Sequence, residues 1–448
     1  MIYSSIPTHN IKSFRQNPGD KRLVEPRAIS DLNRQTTQQT KTWIIWVGTF
    51  GIFLPNTIGV TGKYIVAPLS LLAVIRFLVA ISNGSRRILA CDLFVLATVL
   101  WMIGAEISVT GTLSLTTGSD ALGFVGAFIV ARAFIFGVQP LRTFIRALKF
   151  VAIALIAFSA LDTLTGHFFI NDAVATLFHD TPLLITKGTG DIHRELLGIT
   201  VIRATSTFNH PILYGSFCAF AAAIFLYSEH RMFSRALYVG VCLLGCVLSI
   251  SSAPLLAFMI IVSVYCYDQF FSRSPSRWKL FWMAVFSFIF TLCLLSDRPL
   301  GFFFDHFTFT PQTGYYRVLI WQNALNYIAI SPFTGDGSIW QADEILGDSV
   351  DSVWLVLSLL YGLPVSFFLL LATLAACVGI RPTGKRTSLS FGMQRLGTAF
   401  SVVITVFVFL GLTVHFWASI WLFWGLCLGI RASIKEYASA EVRTMVRI

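Results

Sequence analysis

Polar and apolar residues alternate along this chain in blocks rather than one by one. A polar stretch, residues 1–41, gives way to a series of continuously apolar runs. The runs fall near 42–60, 65–82, 88–106, 121–138, 149–166, 210–228, 236–252, 254–271, 280–296, 353–379, 397–412 and 414–430. Roughly 18–20 apolar residues carry a helix across a bilayer, whereas a barrel strand is short and alternating. The pattern therefore predicts an all-α polytopic membrane protein with about twelve transmembrane helices. Two long polar interruptions remain, 167–209 and 297–352. Within the second, Tyr315, Tyr316, Val318, Leu319, Trp321, Leu325 and Ile328 fall near helical spacing, which predicts an amphipathic helix on the membrane surface. The domain reading is a disordered cytoplasmic tail over 1–41, a transmembrane domain over 42–430 and a second cytoplasmic tail over 431–448.

Charge gives this register a direction. The chain is 55% hydrophobic and only 12% charged, with a mean hydropathy of +0.73. Its net charge of +11 does not indicate a nucleic-acid partner, because the basic residues sort by side. With both termini cytoplasmic, most of the 33 Lys and Arg lie in the inner segments. Only Lys63, Lys187, Arg194, Arg203, Arg298 and Arg317 face outward, and the two long loops lie on that outer side. A modest Thr/Ser/Gly loop near 107–120 joins them there. All eight Cys fall in apolar runs, where Cys behaves as a small apolar residue, and no disulfide is expected. Cys242 and Cys246 stand one helical turn apart without a further His or Cys nearby, so no metal site is predicted.

Scarcity makes the outer arginines informative. Arg203 heads a dense polar run, Arg203-Ala204-Thr205-Ser206-Thr207-Phe208-Asn209-His210-Pro211. Arg317 lies in the predicted amphipathic helix, beside Tyr316 and Trp321. A guanidinium presents a planar fork that fits phosphate, and two forks would stabilise a departing pyrophosphate. Interfacial snorkelling is the structural alternative. Thr205, Ser206, Thr207 and Asn209 read as caps for a helix beginning at Pro211, and His210 as a hydrogen-bonder or proton carrier. Asp351-Ser352 stands where the second loop re-enters the membrane, and a carboxylate there would serve as a general base. Asp305, Asp336, Asp343, Glu344 and Asp348 are rivals, readable as solvated loop charge. Inside the spans, Arg76, Asp92 and Arg132 suggest snorkelling or an ion pair through Asp92. Nothing supports Ser/His/Asp catalysis, and the chain has no Walker A loop and no HExxH.

These motifs resemble the O-antigen ligase and Wzy-type polysaccharide polymerase superfamily. The run from Arg203 to Pro211, followed by Gly215, looks like the outer-loop Arg-x-x-Gly-Thr-Phe-x-His-Pro of that family. Arg317-Val318-Leu319-Ile320-Trp321 looks like its Arg-x-x-x-Trp element, and Pro332-Phe333-Thr334-Gly335-Asp336-Gly337 like its Pro-x-x-Gly-x-Gly. Asp351-Ser352 with Gly362-Leu363-Pro364 resembles the re-entry segment. The likeness covers residues 200–380, and the first half matches only as a set of spans. Two departures stand out. Ser251-Ser252-Ala253 replaces a Ser-Arg pair, and Asp351 stands where ligases carry His, which favours an exopolysaccharide-type polymerase.

The resemblance implies a metal-independent, cofactor-free glycosyltransferase of a bacterial inner membrane, acting at the periplasmic face. Its donor would be an undecaprenyl-pyrophosphate-linked glycan and its acceptor a second lipid-linked repeat unit, with membrane lipids around it and a chain-length regulator or flippase as candidate protein partners. It assigns catalytic roles to Arg203, Arg317 and Asp351, and substrate contacts to Thr207, Asn209, His210, Tyr316, Trp321 and Ser352. The alternatives are ligase-type glycan transfer, a transporter or flippase, and a non-catalytic scaffold. A transporter would place its polar residues at mid-membrane through several spans, whereas here they gather in the outer loops.

Overall fold

The computed structural model describes residues 42–55, 62–178, 192–196, 199–295, 311–340, 350–378 and 391–446. Among these lie fifteen α-helices. They are α1 Thr42–Ile52, α2 Gly62–Ser82, α3 Ala90–Thr110, α4 Leu115–Phe134, α5 Val138–Thr165, α6 Phe169–Phe178, α7 Pro211–Ser228 and α8 Met232–Leu248. The others are α9 Ser252–Phe270, α10 Arg277–Leu295, α11 Pro311–Ile330, α12 Val353–Tyr361, α13 Leu363–Cys377, α14 Phe391–Leu410 and α15 Ala418–Val446. One antiparallel hairpin, β1 His193–Leu196 with β2 Ile199–Ile202, interrupts the helices. Seven helices are long and apolar enough to cross a bilayer, namely α3, α4, α5, α7, α9, α10 and most of α14; four shorter apolar helices accompany them. The protein is thus an all-α, membrane-embedded bundle.

The core is aromatic and small-residue packing around α7. Every residue from Leu213 to Tyr227 is buried, as expected of a helix at the centre of a bundle. Phe220 stacks on Phe407 of α14 at 3.8 Å, and Phe217 meets Phe423 of α15. Gly425 and Gly429 on α15 let it approach α4 closely; a Cβ there would fall 2.5 Å and 2.4 Å from the carbonyl oxygens of Phe124 and Phe128. By contrast, α10 buries none of its residues within the protein.

Polar contacts mark the two ends of the bundle. At one end, the guanidinium of Arg132, fully buried, donates to both oxygens of Asp92 at 2.8 and 2.9 Å and to Glu436 at 2.8 Å. Arg86 donates to Glu436 at 3.0 Å and lies over the Phe136 ring. The expected pairing through Asp92 is present, and Arg76 lies over Phe134. At the other end, Thr117 meets Tyr361, Trp421 donates to the Asp120 carbonyl, and Glu106 binds Ser338.

Several boundaries differ from those read in the sequence. The apolar run 353–379 is two helices, broken at Gly362 with φ +78. Residues 332–336 fill the break: Leu363 donates to the Pro332 carbonyl, and Asp336 donates to that of Leu359. Trp101 caps both carbonyls of the junction, those of Phe333 and Tyr361. The stretch 431–446, read as a tail, continues α15 and supplies the buried Glu436. The loop near 107–120 shrinks to 111–114, because Ser114 caps α4 and the helices run into the polar residues. Residues 1–41 and the aromatic run 302–309 lie outside the described residues.

Candidate functional site

The two arms predicted from sequence lie at the same end of the bundle, opposite the Arg132 cluster. The first arm is the turn before α7. Arg203 is buried; its backbone N–H donates to the Ile192 carbonyl, and Ala204 donates to that of Leu248. Its guanidinium reaches the turn between α8 and α9, with Nη2 2.6 Å from Ser251 Oγ and Nε 3.3 Å from the Ser249 carbonyl. Pro254 sits in the first turn of α9, as its position predicts. The α7 cap is His210, not Thr205, Ser206, Thr207 or Asn209 as expected: its Nδ1 accepts from the Ile212 N–H at 3.2 Å. With Nδ1 accepting there, His210 caps the helix. Thr207 is buried with its Oγ1 unbonded among the described residues, and Asn209 is half-buried.

The second arm joins α11 to α12. Ile320, Ala324 and Ile328 pack on Val350, Leu355 and Leu359, so this apolar face of α11 lies against protein. This places Arg317 beside Asp351, just before α12. Arg317, Trp321, Asp351, Ser352 and Thr413 line one narrow pocket, too tight as it stands for a water molecule. The Arg317 side chain is 11% exposed and Asp351 is 47% exposed, with Nε 3.9 Å from Oδ2. That is beyond hydrogen-bond range, and Nε is enclosed with no acceptor among the described residues. Burial lowers the Arg317 pKa from its ordinary value, and the Asp351 carboxylate opposes that shift. Trp321 donates to the Leu412 carbonyl at 3.1 Å, and Tyr316 is exposed. Ser352, read as a substrate contact, is committed elsewhere: its Oγ donates to the Gly411 carbonyl at 3.0 Å and caps α12 by accepting from Leu355. Of the rival bases, Asp336 precedes the 3-10 turn Gly337–Ile339, and Asp305, Asp343, Glu344 and Asp348 lie outside the described residues.

The segment 411–417, between α14 and α15, connects the arms. Gly411 and Leu412 touch the second arm, and the Trp417 ring lies 6.1 Å from that of His210 in the first. Between them His415 stacks on Trp417 at 5.2 Å. Its ring is half-buried, and its Nδ1 is enclosed without a partner among the described residues. The sequence hid His415 because it falls in an apolar run. The structure therefore gathers Arg317, Trp321, Asp351 and Ser352 into one pocket; Arg203, Thr207, Asn209, His210 and Tyr316 do not line it. Among the described residues no group of three or more His, Cys, Asp or Glu could hold a metal ion. No protein-family model and no curated protein matches this sequence.

Proposed function

We propose that this protein polymerises lipid-linked oligosaccharide repeat units, with undecaprenyl pyrophosphate as the leaving group, at the outer face of the membrane. The observation that carries the reading is Arg317: a nearly buried guanidinium, its Nε without an acceptor among the described residues, beside a half-exposed carboxylate 3.9 Å away. A buried charge without its full set of hydrogen bonds is costly, and a bound anion would relieve that cost. In this reading the donor diphosphate takes the place of Asp351 as the partner of Arg317. Asp351 then accepts the proton of an acceptor sugar hydroxyl. The hydroxyl oxygen bonds to the anomeric carbon, the anomeric carbon–phosphate oxygen bond breaks, and its electron pair leaves with the diphosphate. Arg317, with Arg203 from the first arm, neutralises that charge. The same chemistry serves ligase-type transfer, from which the acceptor alone distinguishes it.

Complementation of a polymerase-deletion strain tests this. Arg203→Ala and Arg317→Ala, at normal membrane abundance, are expected to lose about 100-fold or more in polymer synthesis and to leave single repeat units on lipid. Full-length polymer from both variants overturns the assignment. Long chains left on lipid in the deletion strain indicate a ligase instead.

A further inference from the structure

Two buried carboxylates have no part in that chemistry, yet each grips one arm of the site. Asp162, in the last turn of α5, is fully buried. Its Oδ1 accepts from the Phe169 N–H at 3.0 Å and its Oδ2 from the Ser206 N–H at 2.8 Å. Ser206 has φ +53, a left-handed conformation that a non-glycine residue keeps only when its surroundings hold it. Asn171 completes the grip, with Nδ2 donating to the Ser206 carbonyl at 2.9 Å and to Thr205 Oγ1 at 3.3 Å. Glu106, in the last turn of α3, is equally buried. Its Oε2 accepts from the Ser338 N–H at 2.9 Å and its Oε1 from the Ser338 hydroxyl at 2.5 Å. Ser338 belongs to the segment that follows α11, the helix bearing Arg317.

One neutral acceptor oxygen is enough to hold a single donor. Each of these groups instead accepts with both oxygens, which an amide cannot do, and each keeps a costly ionisable group inside the bundle. Charge-assisted hydrogen bonds are the stronger kind and hold a loop more rigidly. We propose that Asp162 and Glu106 are positioning residues: Asp162 sets the turn carrying Arg203, and Glu106 anchors the segment that closes α11 and so sets Arg317. The inference rests on the glycosyl-transfer reading.

The test uses Asp162→Asn and Glu106→Gln protein in lipid vesicles, supplied with lipid-linked repeat units extracted from a polymerase-deletion strain. The expected result is a fall in kcat of about tenfold or more with KM changed less than about twofold, since misplacement of a charged donor acts on the transition state. Amide hydrogen exchange is expected to rise over 203–208 in Asp162→Asn alone, and over 336–340 in Glu106→Gln alone. Ser338→Ala is expected to add nothing further to Glu106→Gln. An unchanged kcat, or exchange rising across the whole bundle, overturns the proposal. If the wild-type protein makes no polymer, the glycosyl-transfer reading falls, and unchanged exchange in the two loops separately overturns the anchoring.

Discussion

Ser352 illustrates how a residue can sit in a reactive place and do structural work. It lines the Arg317 pocket, yet its hydroxyl bridges the Gly411 carbonyl and the first turn of α12. Ser352→Ala is therefore expected to cost about 0.5–2 kcal/mol of stability, the range for a lost cap, and to leave polymer length unchanged. Thermal unfolding in detergent, alongside complementation, checks both halves; loss of polymer at normal stability would return Ser352 to the substrate contacts. His210 follows the same logic, because its Nδ1 is taken by the α7 cap. Sequence reading did not divide caps from contacts. Ser, Asn and His serve both purposes, and only the partner of each lone pair decides. Glu106 and Asp162 were missed for another reason. Each is a carboxylate in an apolar run, and the rule that flagged Asp92 applies to both equally.

At the scale of elements, the break at Gly362 matters most to the site. It turns an apolar stretch into a short helix, α12, on which α11 rests, and that contact brings Arg317 to Asp351. Only glycine suits the position: φ is +78, and a Cβ would fall 2.1 Å from the Phe333 carbonyl oxygen. Gly362→Ala is expected to destabilise the protein by about 1–3 kcal/mol or more and to reduce polymer synthesis, because residues 332–336 can no longer fill the break. Unchanged melting and activity would show that the junction is not needed. Gly362-Leu363-Pro364 marks the break in the sequence, but the apolar residues on either side make an intact span the simplest reading. Its free backbone groups are satisfied by a segment some thirty residues earlier in the chain, a pairing that hydropathy does not encode.

At the scale of the molecule, the legible part was the bundle itself. Apolar blocks marked most of the helices, though not all of their bounds. Tertiary partnership was not legible: Glu436, in a stretch read as a tail, joins Arg86, Arg132 and Asp92 in one buried cluster. That cluster ties α3, α4 and α15 at the end opposite the two arms. Helices anchored there leave the 411–417 segment in contact with both arms, touching Ser352 and Trp321 on one side and His210 on the other. The central claim is that Arg203 and Arg317 act on one diphosphate. The most direct test is a structure of the protein in lipid with undecaprenyl pyrophosphate bound. The account predicts both guanidiniums within about 3 Å of phosphate oxygens of the same diphosphate, with Asp351 released from Arg317. A diphosphate held elsewhere, or Arg203 still turned to Ser251 with Arg317 alone on the ligand, would contradict it.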